Sequence, residues 1–276
     1  MNSLPDELVV EILLCQNPVT IKLINRRINR LYRTYHNLIW GNFIAANNNI
    51  NYLALSVVYE PGILRAILLS KYCTKEFIHS QIPDYHSSYK GKGHTILHLA
   101  AEHSPESTKL ILEYCDEILF NKQIFESKSG AVTYNNSITP AHIAAQKQPI
   151  AFNYIINSKY CNIDYLKIYK YDEYDKLFRL TVLHIAICYN FESLKYLLQS
   201  IYGNELIDLP IRRLNGMYQI SSYKDRDTFT FVCDRYNLVS EKWKYLDMMK
   251  ILYDYYPKAM EEKLSEELKM LLTYLQ

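Results

Sequence analysis

Apolar residues fall at helical spacing along most of the chain. Near its start, Leu4, Leu8 and Ile12 follow i, i+4 steps, the periodicity of one helix face. Ser3 can cap such a helix, Pro5 suits its first turn, and Asp6 and Glu7 complement its positive end. After Pro18, the residues Ile21, Ile24, Ile28 and Leu31 continue the spacing, with Arg26, Arg27 and Arg30 on other faces, and Leu38-Ile39-Trp40 follows. The pattern predicts two or three short helices over residues 3–45, too few to bury a self-sufficient core.

From residue 51 onward the apolar segments come in pairs. Thr95-Ile96-Leu97-His98-Leu99-Ala100-Ala101, Thr139-Pro140-Ala141-His142-Ile143-Ala144-Ala145 and Thr181-Val182-Leu183-His184-Ile185-Ala186-Ile187 are three copies of one segment. Their histidines recur at a period of roughly 43 residues, the self-similarity of a repeat architecture. A second apolar helix follows each copy: one opened by Ser104-Pro105-Glu106 and carrying Leu110, Ile111 and Leu112, one opened by Pro149, and one from Phe191 to Gln199. Upstream, Asn51 to Val57 and the stretch after Pro61 form a degenerate first pair, with Ala54 in the histidine slot. Downstream, Thr228 to Tyr236 and Lys244 to Tyr255, stopped by Pro257, form an irregular last pair with Phe231 in that slot.

The chemistry of the repeated segment is structural. A threonine at a helix start caps orphan N–H groups, and Pro140 is pre-set for the first turn. A histidine three residues on can hydrogen-bond back to the turn, and the alanines let paired helices approach closely. Three of the eight histidines fill this one slot, so they read as scaffold and not as metal ligands or catalytic groups.

A Thr-x-x-His-x-Ala core followed by a second helix resembles the ankyrin repeat. The resemblance implies an all-α fold: a solenoid of about five repeats over residues 46–256, its terminal repeats degenerate, with hairpin fingers along one edge. The repeats exceed the usual ~33 residues by about ten, an excess assigned to the connections at 72–93, 116–137, 158–180 and 200–227. The third finger carries Tyr160, Tyr165, Tyr169, Tyr171 and Tyr174 beside Asp172, Glu173 and Asp175, and the fourth carries Arg212, Arg213, Tyr218 and Tyr223. Tyrosine and arginine bury much area with few rotors to freeze. Tyr165, Tyr169, Tyr171, Tyr174, Arg212, Arg213 and Tyr218 are therefore the candidate target-protein contacts. The alternative is that these side chains pack the fingers against neighbouring helices.

Residues 1–45 resemble an F-box, the motif that docks substrate receptors onto the Skp-type linker of cullin–RING ubiquitin ligases. Leu4, Pro5, Glu7, Leu8, Ile12 and Leu13 match its L-P-x-E-L-x-x-x-I-L opening, Ile24-Asn25-Arg26-Arg27 its apolar-polar-Arg-Arg segment, and Trp40 its closing tryptophan. The chain departs from the pattern at Ile28, where the family usually has a second tryptophan, and in a shortened stretch between Leu13 and Ile24. The resemblance implies linker contacts from Leu4, Pro5, Leu8, Ile12, Leu13, Ile24, Ile28 and Trp40. The alternative reading of these helices is an end cap, which solenoids require.

Composition narrows the picture further. A net charge of +2 and no basic block give no electrostatic footprint for nucleic acid. Six cysteines stand without C-x-x-C pairing, so neither a zinc site nor a disulfide framework is expected, and a reducing, cytosolic address is. No apolar run approaches the ~18 residues of a membrane-spanning helix, and no basic leader is visible. The count of 26 tyrosines against 7 glycines accords with the AT-rich genomes of many intracellular bacteria and large viruses.

At the end, Met260, Leu264, Leu268, Leu271 and Leu275 form an apolar stripe flanked by acids from Glu262 to Glu266. Residues 257–276 thus predict a helix, and the glutamate cluster resembles the C-terminal signal of type IV secretion effectors, which implies a host cytosolic address. No phosphate loop, nucleophile elbow or H-E-x-x-H occurs, so no catalysis, cofactor or metal is expected. Together the resemblances imply a monomeric adaptor that binds the Skp-type linker and an unknown target protein. The alternative is an ankyrin scaffold or masking protein without ligase recruitment.

Overall fold

The computed structural model describes residues 9, 26–82, 94–125, 137–171, 178–209, 212–213, 227–229, 231–232 and 242–262. The chain is mostly helical and divides into two compact units, Met1–Ser127 and Lys128–Gln276. No helix among the described residues is long and apolar enough to cross a membrane.

In the first unit, helix α1 (Arg26–Ala46) kinks at Tyr35, where φ is −110° and ψ is 16°. It ends in a turn in which Asn48 takes a φ of 48°, a left-handed conformation that asparagine tolerates. Asn49 then caps α2 (Ile50–Tyr59), its side chain accepting from the Tyr52 N–H at 3.2 Å. Helix α3 (Pro61–Leu69) opens on its proline and packs against α1. Ser70 Oγ donates to Asn42 Oδ1 at 2.7 Å across the same contact. Residue 45, where the F-box-like segment was expected to end, lies in the last turn of α1, and α1 packs against the first helix pair. After α4 (Lys75–Ile78), the next pair is α5 (Ile96–His103) and α6 (Pro105–Tyr114), followed by α7 (Glu117–Phe120) and the short strand β1 (Ile124–Phe125). First helix packs on first helix, α2 on α5, and second on second, α3 on α6. Ser107 Oγ ties the two pairs by donating to the Val57 carbonyl at 2.7 Å inside the core.

The second unit repeats the plan. After β2 (Ser137–Ile138) come α8 (Pro140–Lys147), α9 (Pro149–Ile156) and α10 (Ile163–Leu166), then β3 (Lys170–Tyr171) and β4 (Phe178–Leu180). Next are α11 (Val182–Tyr189), α12 (Phe191–Gln199), α13 (Gly203–Ile207), β5 (Arg212–Arg213), α14 (Lys242–Tyr255) and α15 (Pro257–Glu261). Helix α8 packs on α11, α9 on α12, and α12 on α14. Thr228, Phe229, Phe231 and Val232 are helical and buried, where the irregular last pair was expected. Met260 of α15 is buried, while Leu264, Leu268, Leu271 and Leu275 lie outside the described residues.

The first helices are buried nearly all round, from Ile96 to Glu102, Pro140 to Ala145 and Val182 to Cys188. Helices apolar over most of their surface can sit so deep, their buried histidines being hydrogen-bonded to the helix start, and the small side chains of Ala100, Ala144 and Ala186 let a neighbouring helix close in. The connections depart from the expectation of plain hairpin fingers. Each begins with one turn of helix: α4, α7, α10 and α13 are the same element in successive repeats. Among the described residues that remain, β3, β4 and β5 form an antiparallel sheet in that order.

Candidate functional site

The geometry of the repeated turn follows from its letters. In all three copies the threonine N–H donates to the histidine Nδ1, at 3.3 Å for Thr95–His98 and 3.2 Å for Thr139–His142 and Thr181–His184. The threonine hydroxyls lie 2.7–2.9 Å from the same nitrogens, a capping box with histidine in place of the usual acid. Because Nδ1 accepts from a backbone N–H, the ring proton sits on Nε2. His142 Nε2 then donates to the Ile168 carbonyl at 2.9 Å. His184 Nε2 lies 3.3 Å from the Thr228 hydroxyl, which itself donates to the Ile207 carbonyl at 2.9 Å. Each of these rings thus ties its own helix start to the chain beyond the short third helix. Burial holds both rings neutral, pushing His142 down to about 3 with help from the Lys170 charge, and His184 down to about 3. Neutral, fully hydrogen-bonded imidazoles at one repeat position are scaffold.

The short helices explain several residues that the sequence had left ambiguous. Thr74, Asp116 and Asn162 each cap one by accepting from the N–H three residues on: Phe77, Leu119 and Tyr165, at 3.2, 3.0 and 2.8 Å. Those three side chains are buried, as is Leu206 of α13. Immediately before each cap stands a cysteine, Cys73, Cys115 or Cys161, so half of the six cysteines share one repeat slot. The Cys73 and Cys161 thiols stay protonated: burial pushes Cys73 up to about 11 and Cys161 up to about 12. Among the described residues no group of three His, Cys, Asp or Glu could hold a metal ion.

Tyr165, expected at a target-binding surface, is instead a core residue. It fills the slot of Phe77 and Leu119, and its hydroxyl accepts from the Ala141 N–H at 3.3 Å. Truncation to alanine is expected to cost about 3 kcal/mol or more, as for other large buried side chains. Tyr165→Phe should cost only about 1 kcal/mol, the value of one hydrogen bond. Urea unfolding of the two variants checks this; equal, near-zero losses would return Tyr165 to the surface.

The other expected contacts are placed differently. Tyr169 is half-buried. The sheet brings together Tyr171, Arg179 and Arg212 as one cross-strand row by register, with Phe178 opposite Arg213. Arg179 was not among the candidates, because only the pairing of strands from successive repeats sets it beside Arg212. Lys170, one step along β3, is buried, and its ammonium lies 3.3 Å from Gln146 Oε1. Only the backbone is described for Tyr171, Arg212, Arg213 and Ile28. Tyr174, Tyr218, Leu4, Pro5, Leu8, Ile12, Leu13 and Ile24 lie outside the described residues. Val9, between the expected linker contacts, is helical and buried.

Trp40 is half-buried on α1 and engaged within the first unit. Its indole N–H donates to the Tyr32 hydroxyl at 2.8 Å. Its ring lies 5.7 Å from that of Tyr52, on the first helix of the first pair, and 6.1 Å from that of Phe43. No family model, curated protein or solved structure matches the chain.

Proposed function

We propose that the chain is a non-catalytic adaptor of ankyrin-like repeats, which docks on the Skp-type linker of a cullin–RING ubiquitin ligase and holds a target protein for ubiquitin transfer. The repeated threonine–histidine turn carries the repeat half of this reading. Three identical capping geometries, each opening the first helix of a stacked pair, are what ankyrin-type repeats need and what a catalytic centre does not. The F-box-like segment supplies the other half through the apolar stripe Leu4, Pro5, Leu8, Ile12 and Leu13. Trp40 joins that segment to the first helix pair through Tyr52.

The mechanism is tethering. Holding a target near the ligase's ubiquitin-charged enzyme raises the effective concentration of its lysines without any chemistry in this chain. The cross-strand row Tyr171–Arg179–Arg212 and the neighbouring finger residues form the target surface in this reading, in a cytosol reached by secretion.

The test is a pulldown with purified Skp-type linker, comparing the full chain with the double change Leu4→Ala, Pro5→Ala. Retention of linker by the wild type and its loss in the double variant, with unchanged circular dichroism, is the expected result. No retention by the wild type would reduce residues 3–45 to a cap on a repeat scaffold.

A further inference from the structure

We infer that helices α1 and α2 present a second docking face, distinct in sequence from the Leu4–Leu13 stripe, built for an acidic amphipathic helix of a partner protein. Setting Ala54 in the slot of His98, His142 and His184 places Tyr52 opposite Ile96, Pro140 and Val182, and Leu55 opposite Leu99, Ile143 and Ile185. All six of those counterparts are buried. In the first pair the same two slots are open, with Tyr52 43% and Leu55 38% exposed, and Tyr59 on the same helix face is 72% exposed. Two slots that are buried in each of the other three copies are thus exposed in the first pair, as an apolar stripe along α2.

The face continues onto α1. Tyr32, His36, Trp40 and Phe43 follow one another along that helix in ring contact, and Trp40 hands the row on to Tyr52. Beside it, at the kink of Tyr35, opens a hollow of about 420 Å³ whose walls include Tyr32, Arg33, His36 and Leu38. Tyr35 and His36, both part-exposed beside the hollow, are the makings of an anchor site.

Charge selects the occupant. The near-neutral total for the chain conceals a local imbalance: from Ile12 to Tyr59 there is no Asp or Glu, while Arg30 and Arg33 of α1 are both exposed. Arg33 is exposed on the wall of the hollow. A second copy of the chain would set like charges against each other, which disfavours self-pairing. Nucleic acid fits the arginines and the rings of Tyr52 and Trp40, but it would leave the aliphatic Leu38 and Leu55, 46% and 38% exposed, uncovered. An amphipathic helix with an apolar stripe and carboxylate flanks satisfies both features, in the manner of helix-in-groove recognition.

The probe is a fluorescein-labelled synthetic peptide with leucines at i, i+3, i+4 and i+7 and glutamates on both flanks, titrated by anisotropy into the full chain. The expected result is saturable binding, weakened at least about tenfold by Leu55→Glu or by Arg33→Glu and in a matched peptide with lysine for glutamate. Circular dichroism and linker retention should stay unchanged in both variants, so failure here is distinguishable from failure of the ligase reading. Absence of binding, or binding indifferent to both changes, overturns the inference. So does tighter, equally sensitive binding of oligothymidylate, which would make the face a nucleic-acid platform. A wild-type dimer that Leu55→Glu dissociates in sedimentation would overturn it in favour of self-association.

Discussion

Lowering the pH from 7 to 5 is expected to destabilise the Lys128–Gln276 unit by several kcal/mol, through two of its buried histidines. His142 and His184 are fully buried and held neutral, each pushed down to about 3 against an ordinary value of 6.5. Desolvation is the leading cause for both; Lys170 adds to it at His142, and the carbonyls of Ile168 and Leu209 oppose it. Below pH 6.5 the unfolded chain takes up protons that the folded chain cannot, so stability falls as pH falls. The loss begins near 6.5, is on the order of 2 kcal/mol per histidine at pH 5, and levels off near pH 3. Above 6.5 these two groups contribute no pH dependence. Native-state hydrogen exchange of α8 and α11 amides between pH 7.5 and 4.5, corrected for intrinsic rates, reads the effect in that unit. His184→Gln should lower stability at pH 7 yet flatten the acid limb by one proton. Equal stability at pH 7 and 5 would mean that the rings are solvated and the repeated turn is not closed as described.

The features that set up this behaviour were legible in the chain to different degrees. The Thr-x-x-His turns could be read because cap chemistry, helical spacing and a fixed period agree at the same residues. The pairing of helices could be read because Pro105 and Pro149 open second helices close after the first ones end. The short third helices could not be read from periodicity, since at four or five residues they are shorter than any window that detects it. Their signal lay elsewhere, in a cysteine and then a Thr, Asp or Asn cap at 73–74, 115–116 and 161–162. Aligned on that cap, Tyr165 falls with Phe77 and Leu119 and reads as core. Judged by its residue type alone it reads as a binding hot spot. Arg179 was hidden for another reason: strand register between consecutive repeats is set by packing that no single repeat encodes. The open slots at Tyr52 and Leu55 were equally hidden, because an apolar residue looks the same in a sequence whether or not a neighbour covers it.

Gly41→Ala is expected to destabilise the first unit by about 1–3 kcal/mol, the usual cost of overpacking. Helix propensity argues the opposite way, since alanine is favoured over glycine by ~1 kcal/mol inside a helix. The contact decides. A Cβ at Gly41 would stand 2.6 Å from Ala66 Cβ, 2.7 Å from the Ala66 carbonyl carbon and 2.8 Å from the Ile67 nitrogen. Two of these atoms are backbone of α3, which cannot swing aside as a side chain can. Relief requires α1 to move off α3, opening the core around Ile39, Ile44 and Leu64, all of them buried. Gly62→Ala is the matched control. There the new methyl would meet the Asn37 side chain, which can rotate away, and Gly62 is exposed at the start of α3. Its stability should stay within about 0.5 kcal/mol of wild type, as for ordinary surface changes. Urea unfolding followed through Trp40 fluorescence in a Trp243→Phe background reads both variants in the relevant unit. Valine at position 41 should cost more than alanine, because its added methyls have only the α3 backbone to meet. If Gly41→Ala is neutral or stabilising, α1 does not lie this close to α3. The N-terminal helices would then be a separate module tethered to the repeats, and Trp40 would be free to serve a partner instead of the first helix pair.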